Sequence, residues 1–210
     1  YADRMPIGTM DIVMNFPYDA LRSYYRRWYR PDLQGLVIVG DFDVDQMEQK
    51  IKTLFADVKP AAADASVREY FPVADNKAPL IAIEKDKEQS AAVAMMFFKL
   101  PAVPNEQKNQ QMYLVQRYLQ TAFGEMLNAR LQEIAQKPDA PFSMTAVDIG
   151  DYLVSKTCDA LDGIVVMKEG RYLDAVSALY RELLRAKRGG FTVSEYERFK
   201  QEYLSRVDAQ

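Results

Sequence analysis

The sequence predicts an α+β fold in which an antiparallel sheet packs against helices. Three observations predict it. Short runs of β-branched, aromatic and other apolar residues are bounded by glycine, proline and acidic turn residues. Longer segments carry apolar residues at the 3.6-residue spacing of helices. The strand-like runs also follow one another closely, as where Asp86-Lys87-Glu88-Gln89 separates two of them, which suits an antiparallel meander.

The elements follow in chain order. Residues 17–29 read as a helix, because Pro17 suits a first turn and Leu21, Tyr24, Tyr25 and Trp28 recur at helical spacing. Arg30-Pro31 ends it, since a residue before proline avoids the helical region. Residues 34–40 read as a strand whose run Leu36-Val37-Ile38-Val39 is continuous enough for burial on both faces. Asp43 or Asp45 caps the next helix, with a stripe of Val44, Met47, Ile51, Leu54 and Phe55. Residues 59–79 are small, polar and proline-containing, and read as a linker. Strands return at 80–84 and 91–100. Residues 105–137 form a long helical region with a stripe of Met112, Val115, Leu119, Ala122 and Met126. Leu127, Leu131 and Ile134 continue it, and Gly124 marks a kink or break. Residues 142–151, 153–158 and 161–168 read as three further strands. A helix over 172–187 stops at Gly189-Gly190, and Thr192-Val193-Ser194-Glu195 is a capping box opening the last helix.

Composition removes several functions. The 210 residues are 49% apolar and 27% charged, which is a globular balance. A net charge of −3 gives no basic face for a nucleic-acid partner. No apolar run approaches the roughly 20 residues of a membrane span. The single cysteine, Cys158, forms no intrachain disulfide and reads as a small core filler. Histidine is absent. That removes His-Glu-x-x-His zinc sites, Ser-His-Asp triads and Cys-His dyads together. The chain opens at Tyr1 and stops inside a helical pattern at Asp208-Ala209-Gln210, so we expect a piece of a longer protein.

The candidate chemical groups each have a structural reading beside the functional one. Gly40-Asp41 lies between strand and helix, but neither G-x-G-x-x-G nor a P-loop is present. Asp41, Asp43 and Asp45 alternate as in a calcium loop, yet Gln46 and Lys52 stand where glycine and glutamate belong. These acids read as a cap and as partners of the helix dipole. Glu84 with Asp86 and Glu88, and Asp148 with Asp151, could hold a hard metal such as magnesium, or simply be acidic turns. Tyr24, Tyr25, Trp28 and Tyr29 could stack on a ligand but are more simply core.

Several segments together resemble a known family. They are Arg4-Met5-Pro6-Ile7-Gly8, the stretch from Tyr24 to Asp32, Val37-Ile38-Val39-Gly40-Asp41-Phe42-Asp43, the stretch from Met126 to Glu133, and the segment from Gly190 to Leu204. In this order they are similar to the M16 zinc metallopeptidases of the pitrilysin, insulin-degrading and mitochondrial-processing types, whose α+β metallohydrolase repeat is an antiparallel sheet against helices. The resemblance implies that residues 1–58 are the C-terminal part of a first, catalytic-type repeat. Residues 59–79 would be the linker, and 80–210 the N-terminal part of a second, inactive repeat. An active repeat carries His-x-x-Glu-His, which this chain lacks. The helix from Asn109 onward takes that place and offers Gln116 and Gln120, poor zinc ligands beside imidazole.

We therefore expect no catalytic and no metal-binding residue here, with zinc in the upstream repeat of the parent protein. The expected partners are that repeat and a peptide substrate, enclosed by a chamber wall that this chain helps to form. A homodimer of the isolated chain is also expected, from sheet edges and apolar faces left open. Two other readings are a purely structural M16-like scaffold without a proteolytic parent, and an unrelated carboxylate-metal hydrolase. Compartment and substrate-binding residues stay open, the resemblance leaning towards the bacterial periplasm.

Overall fold

The computed structural model describes residues 7–61 and 65–209, and divides into units 1–69 and 70–210. In the first unit, α1 (Met10–Asn15) was not foreseen; Thr9 caps it by accepting from the Ile12 amide. Helix α2 (Tyr18–Trp28) lies where the tyrosine stripe predicts, with Pro17 just outside it. Helix α3 (Val44–Leu54) starts from Asp43, whose carboxylate accepts from the Gln46 amide at 2.8 Å.

The expected strand over residues 34–40 does not form, and Val39 is 91% exposed. A strand exists only through ladder hydrogen bonds to a neighbour, and no described segment pairs with this one. The same want of a covering layer leaves the stripe of α3 and the aromatic stripe of α2 without a buried residue. Tyr24, Tyr25 and Tyr29 are exposed, contrary to the core reading, and Tyr25 stacks on Tyr29 with ring centroids 4.7 Å apart.

The second unit holds the core. Its sheet comprises β1 (Ala92–Pro101), β2 (Phe142–Asp151) and β3 (Cys158–Met167), in the order β1-β3-β2, all antiparallel. Residues 80–84 are not a strand and are exposed, so the expected meander with 91–100 is absent. The β1 strand instead pairs with β3, which packs Ala94 and Met96, partly buried, against the core. Residues 153–158 are not a separate strand either. They reverse the chain, with the Tyr152 amide donating to the Cys158 carbonyl and the Ser155 amide to the Tyr152 carbonyl, both at 2.9 Å. Leu153 takes a positive φ of 53° in this turn.

The long helical region resolves into a 3-10 turn (Asn105–Gln107) and one uninterrupted helix, α4 (Gln111–Ala135). Gly124 does not break it. A Cβ there would lie 3.8 Å from the Val147 carbonyl oxygen, an ordinary van der Waals contact, so the glycine costs the helix only its propensity of about 1 kcal/mol, which packing against β2 outweighs. Helix α5 (Tyr172–Gly189) ends at Gly190, whose φ of +64° suits glycine. Helix α6 (Val193–Asp208) opens with the expected capping box. The core joins Leu127, Leu131, Phe142, Val147, Val165, Leu179 and Leu183, each apolar side chain contributing roughly 1.5–3 kcal/mol by burial. Of the stripe read from Met112 to Met126, Met112 and Leu119 are exposed, while Ala122 and Met126 are buried in a second, smaller cluster with Phe199 of α6.

Candidate functional site

Helix α4 and the outer edge of β2 enclose a small polar cleft of about 130 Å³. Arg117, Gln120, Thr121 and Gly124 face it from the helix, and Asp148 and Ile149 from the strand. The helix positions follow the i, i+3, i+4, i+7 spacing that puts them on one face.

Asn128 fixes the helix to the strand. Its amide nitrogen donates to the Val147 carbonyl at 2.9 Å, and its amide oxygen accepts from the Val147 amide at 2.8 Å. The side chain thus satisfies both backbone groups of a buried edge-strand residue, as a neighbouring strand would. Within the cleft Arg117 donates to Gln120 Oε1 at 3.2 Å. Glu125 is held by Arg206 of α6 through two bonds of 2.7 and 2.8 Å.

A second set of contacts ties α4 to α6. Arg130 forks onto the Glu195 carboxylate, donates to the Gly190 carbonyl at 2.9 Å and lies over the Phe191 ring, 4.5 Å from its centroid. Glu195 also accepts from the Thr192 amide and hydroxyl. The Arg130 guanidinium beside it, aided by the Thr192 donors, holds the Glu195 carboxyl down at about 2. Tyr118 of α4 packs among Phe199 and Tyr203, and its hydroxyl meets that of Tyr196 at 3.1 Å. That hydrogen bond, with burial, pushes the Tyr118 phenol up to about 12.

The residues singled out in the sequence do not converge on one centre. Gln120 lines the cleft, whereas Gln116 is exposed and does not line it. Asp148 lines the cleft while Asp151 pairs with Lys156. Glu84, Asp86 and Glu88 lie on exposed chain, where Asp86 accepts from the Glu88 amide. Asp43 is a helix cap. Cys158 is buried, its thiol 3.6 Å from the Leu100 carbonyl oxygen, in keeping with a core filler. Asn128, Arg130 and Glu195 gained roles that spacing could not supply, because Glu195 is 65 residues from its partner. Resemblance flagged Asn128 and Arg130, and the capping-box spacing flagged Glu195 as a helix cap without its arginine partner.

Among the described residues no cluster of three or more acidic or cysteine side chains is placed to hold a metal. The cleft offers a guanidinium, amides, a hydroxyl and carboxylates. Zinc prefers imidazole or thiolate, and Arg117 adds a positive charge, so this donor set does not fit it.

The family described as the Peptidase M16 inactive domain matches residues 15–203. The chain belongs to that family. It is 27% identical over 203 residues to the probable zinc protease PqqL of Escherichia coli, covering 97% of this chain and 21% of that protein. Against the crystal structure of the periplasmic protease PqqL from Escherichia coli the TM-score is 0.71 at 26% identity, covering 99% of this chain and 22% of that one. The crystal structure of the first half of that protease gives 0.70 at 25% identity, covering 99% of this chain and 43% of that one. The chain therefore spans about a fifth of the length of the full-length relatives it matches. The M16 domain here is of the non-catalytic type, and the α+β architecture is the one expected. No described helix is long and apolar enough to cross a membrane.

Proposed function

We propose that this chain walls a peptide chamber for a zinc-bearing M16 repeat and performs no proteolysis itself. One observation carries the reading: 210 residues without a histidine, in a domain matched as inactive. A hydrolytic zinc needs three anchoring ligands and an activated water. Residues 1–58 would close the catalytic-type repeat, 59–79 link the two, and 80–210 begin the inactive repeat. Zinc would sit in the upstream repeat, bound by that repeat's own His-x-x-Glu-His residues. The Arg130–Glu195 fork and the Asn128 clamp supply rigidity, which a wall needs and a moving catalytic loop does not.

The reading is tested by turnover of a long peptide by the zinc-bearing repeat, with and without this chain. Adding the chain should raise kcat/KM and leave the zinc content unchanged. No change in turnover would overturn the proposal. The exposed apolar faces of residues 7–61 support association of the isolated chain with a second copy. Light scattering should then give the mass of two chains, and a monomer at every concentration would contradict it.

A further inference from the structure

The sheet has two faces of different chemistry. Gly163 and Val165 of β3 turn towards α5; a Cβ on Gly163 would lie 3.0 Å from Leu179. Successive strand residues alternate sides, so the intervening positions turn the other way. The register stacks them in rows across the three strands. Val93, Val166 and Met144 form one row, Met95, Ile164 and Ala146 the next, and Phe97, Asp162 and Asp148 the third. The first two rows are wholly apolar, and Met95 and Met144 are each more than half exposed.

The third row sets two carboxylates directly opposite each other, an arrangement that is unfavourable in a sheet. Among the described residues neither Asp148 nor Asp162 belongs to an ion pair: Arg117, which shares the cleft with Asp148, donates to Gln120 instead, and the nearby lysines Lys99 and Lys156 are paired with Asp75 and Asp151. Burial, and then the Asp148 charge, push the Asp162 carboxyl up. Beyond this row the chain's own non-helical stretch of residues 70–75 is already held. Lys99 donates to the Ala74 carbonyl at 2.6 Å and the Thr157 hydroxyl to the Phe71 carbonyl at 2.8 Å. Tyr152 stands edge-on to Phe97 there, with centroids 5.5 Å apart.

We propose that the uncovered rows, Met95, Met144, Ile164 and Val166 with Asp148 and Asp162 at their border, bind an extended apolar peptide segment carrying a lysine or arginine. Three features select that occupant. The apolar rows gain by leaving water. The facing carboxylates gain from a cation, which would remove their mutual repulsion. Methionine side chains adapt to varied partners, which suits a changing peptide substrate better than a fixed domain contact. The inference rests on the chamber-wall reading and names the class of peptide the wall holds.

The test uses the full chain and two fluorescein-labelled peptides of alternating valine and threonine. One has a central lysine, the other a central glutamate. Anisotropy should give the lysine peptide about tenfold tighter binding at low salt, with the preference shrinking as salt rises. Asp148→Asn with Asp162→Asn should abolish the preference, and Asp148→Asn alone should reduce it. Met95→Gln should weaken both peptides. Thermal unfolding of each variant checks that the fold is retained. Equal binding of the two peptides, or a preference that survives the double substitution, would sink the inference and leave the wall reading standing. Failure of both peptides to bind would remove both.

Discussion

Residues 7–61 and residues 70–209 carry the same kinds of sequence signal, yet only the second set buries them. Helix α3 and helix α5 both have clean apolar stripes. The α5 stripe meets β3 and buries Ala175, Leu179 and Leu183, whereas α3 buries nothing. Periodicity therefore reports what a helix is able to bury, and a covering surface decides whether it does. The apolar run at 36–39 and that at 164–167 make the same point for strands: β3 lies between two partners, and residues 36–39 have none among the described residues.

Substitutions sharpen this contrast. The largest effect is expected for Phe142→Ala, which empties a fully buried site beside Leu127 and Leu131 and should cost about 3–5 kcal/mol in denaturant unfolding. A cost below about 1 kcal/mol would show that the core of the second unit is loose. Glu195→Gln should come next, at roughly 2–3 kcal/mol near neutral pH, because it leaves Arg130 without its counter-charge. This loss has a pH signature. The Glu195 carboxyl is held at about 2 against an ordinary 4.5, so its contribution is complete above pH 4.5 and disappears as pH falls through about 2. The gap between wild type and variant should therefore close across that window, and a gap independent of pH would assign the loss to something other than the ion pair. Asn128→Ala strips two hydrogen bonds from buried Val147 and should cost about 1–3 kcal/mol, with faster amide exchange at Val147.

The smallest effect falls in the first unit. A buried strand over residues 34–40 would make Val39→Asp unfold that region, by placing an unpaired charge in the core. With Val39 at 91% exposure, the structure predicts a change below about 0.5 kcal/mol in the isolated chain. A large loss would restore the buried-strand reading.

What was legible in the sequence was local. The Thr192–Glu195 box, the Asp43 cap and the limits of β2 follow from residues within a few positions of one another. What was not legible depends on distant partners. Gly124 looks like a helix breaker until the strand that α4 packs against is known, because that packing outweighs the propensity cost of one glycine. Residues 80–84 and 92–101 look equally strand-like, and pairing with β3 separates them. The cleft beside α4 could not be placed either, because Arg117 and Gln120 meet β2 across a sequence gap that spacing rules do not bridge.

Metal content tests most directly whether this chain is non-catalytic. Elemental analysis of the purified 210-residue chain, with peptide hydrolysis measured beside it with and without chelator, should find no stoichiometric zinc and no chelator-sensitive turnover. One tightly bound zinc per chain together with turnover that the chelator abolishes would contradict it.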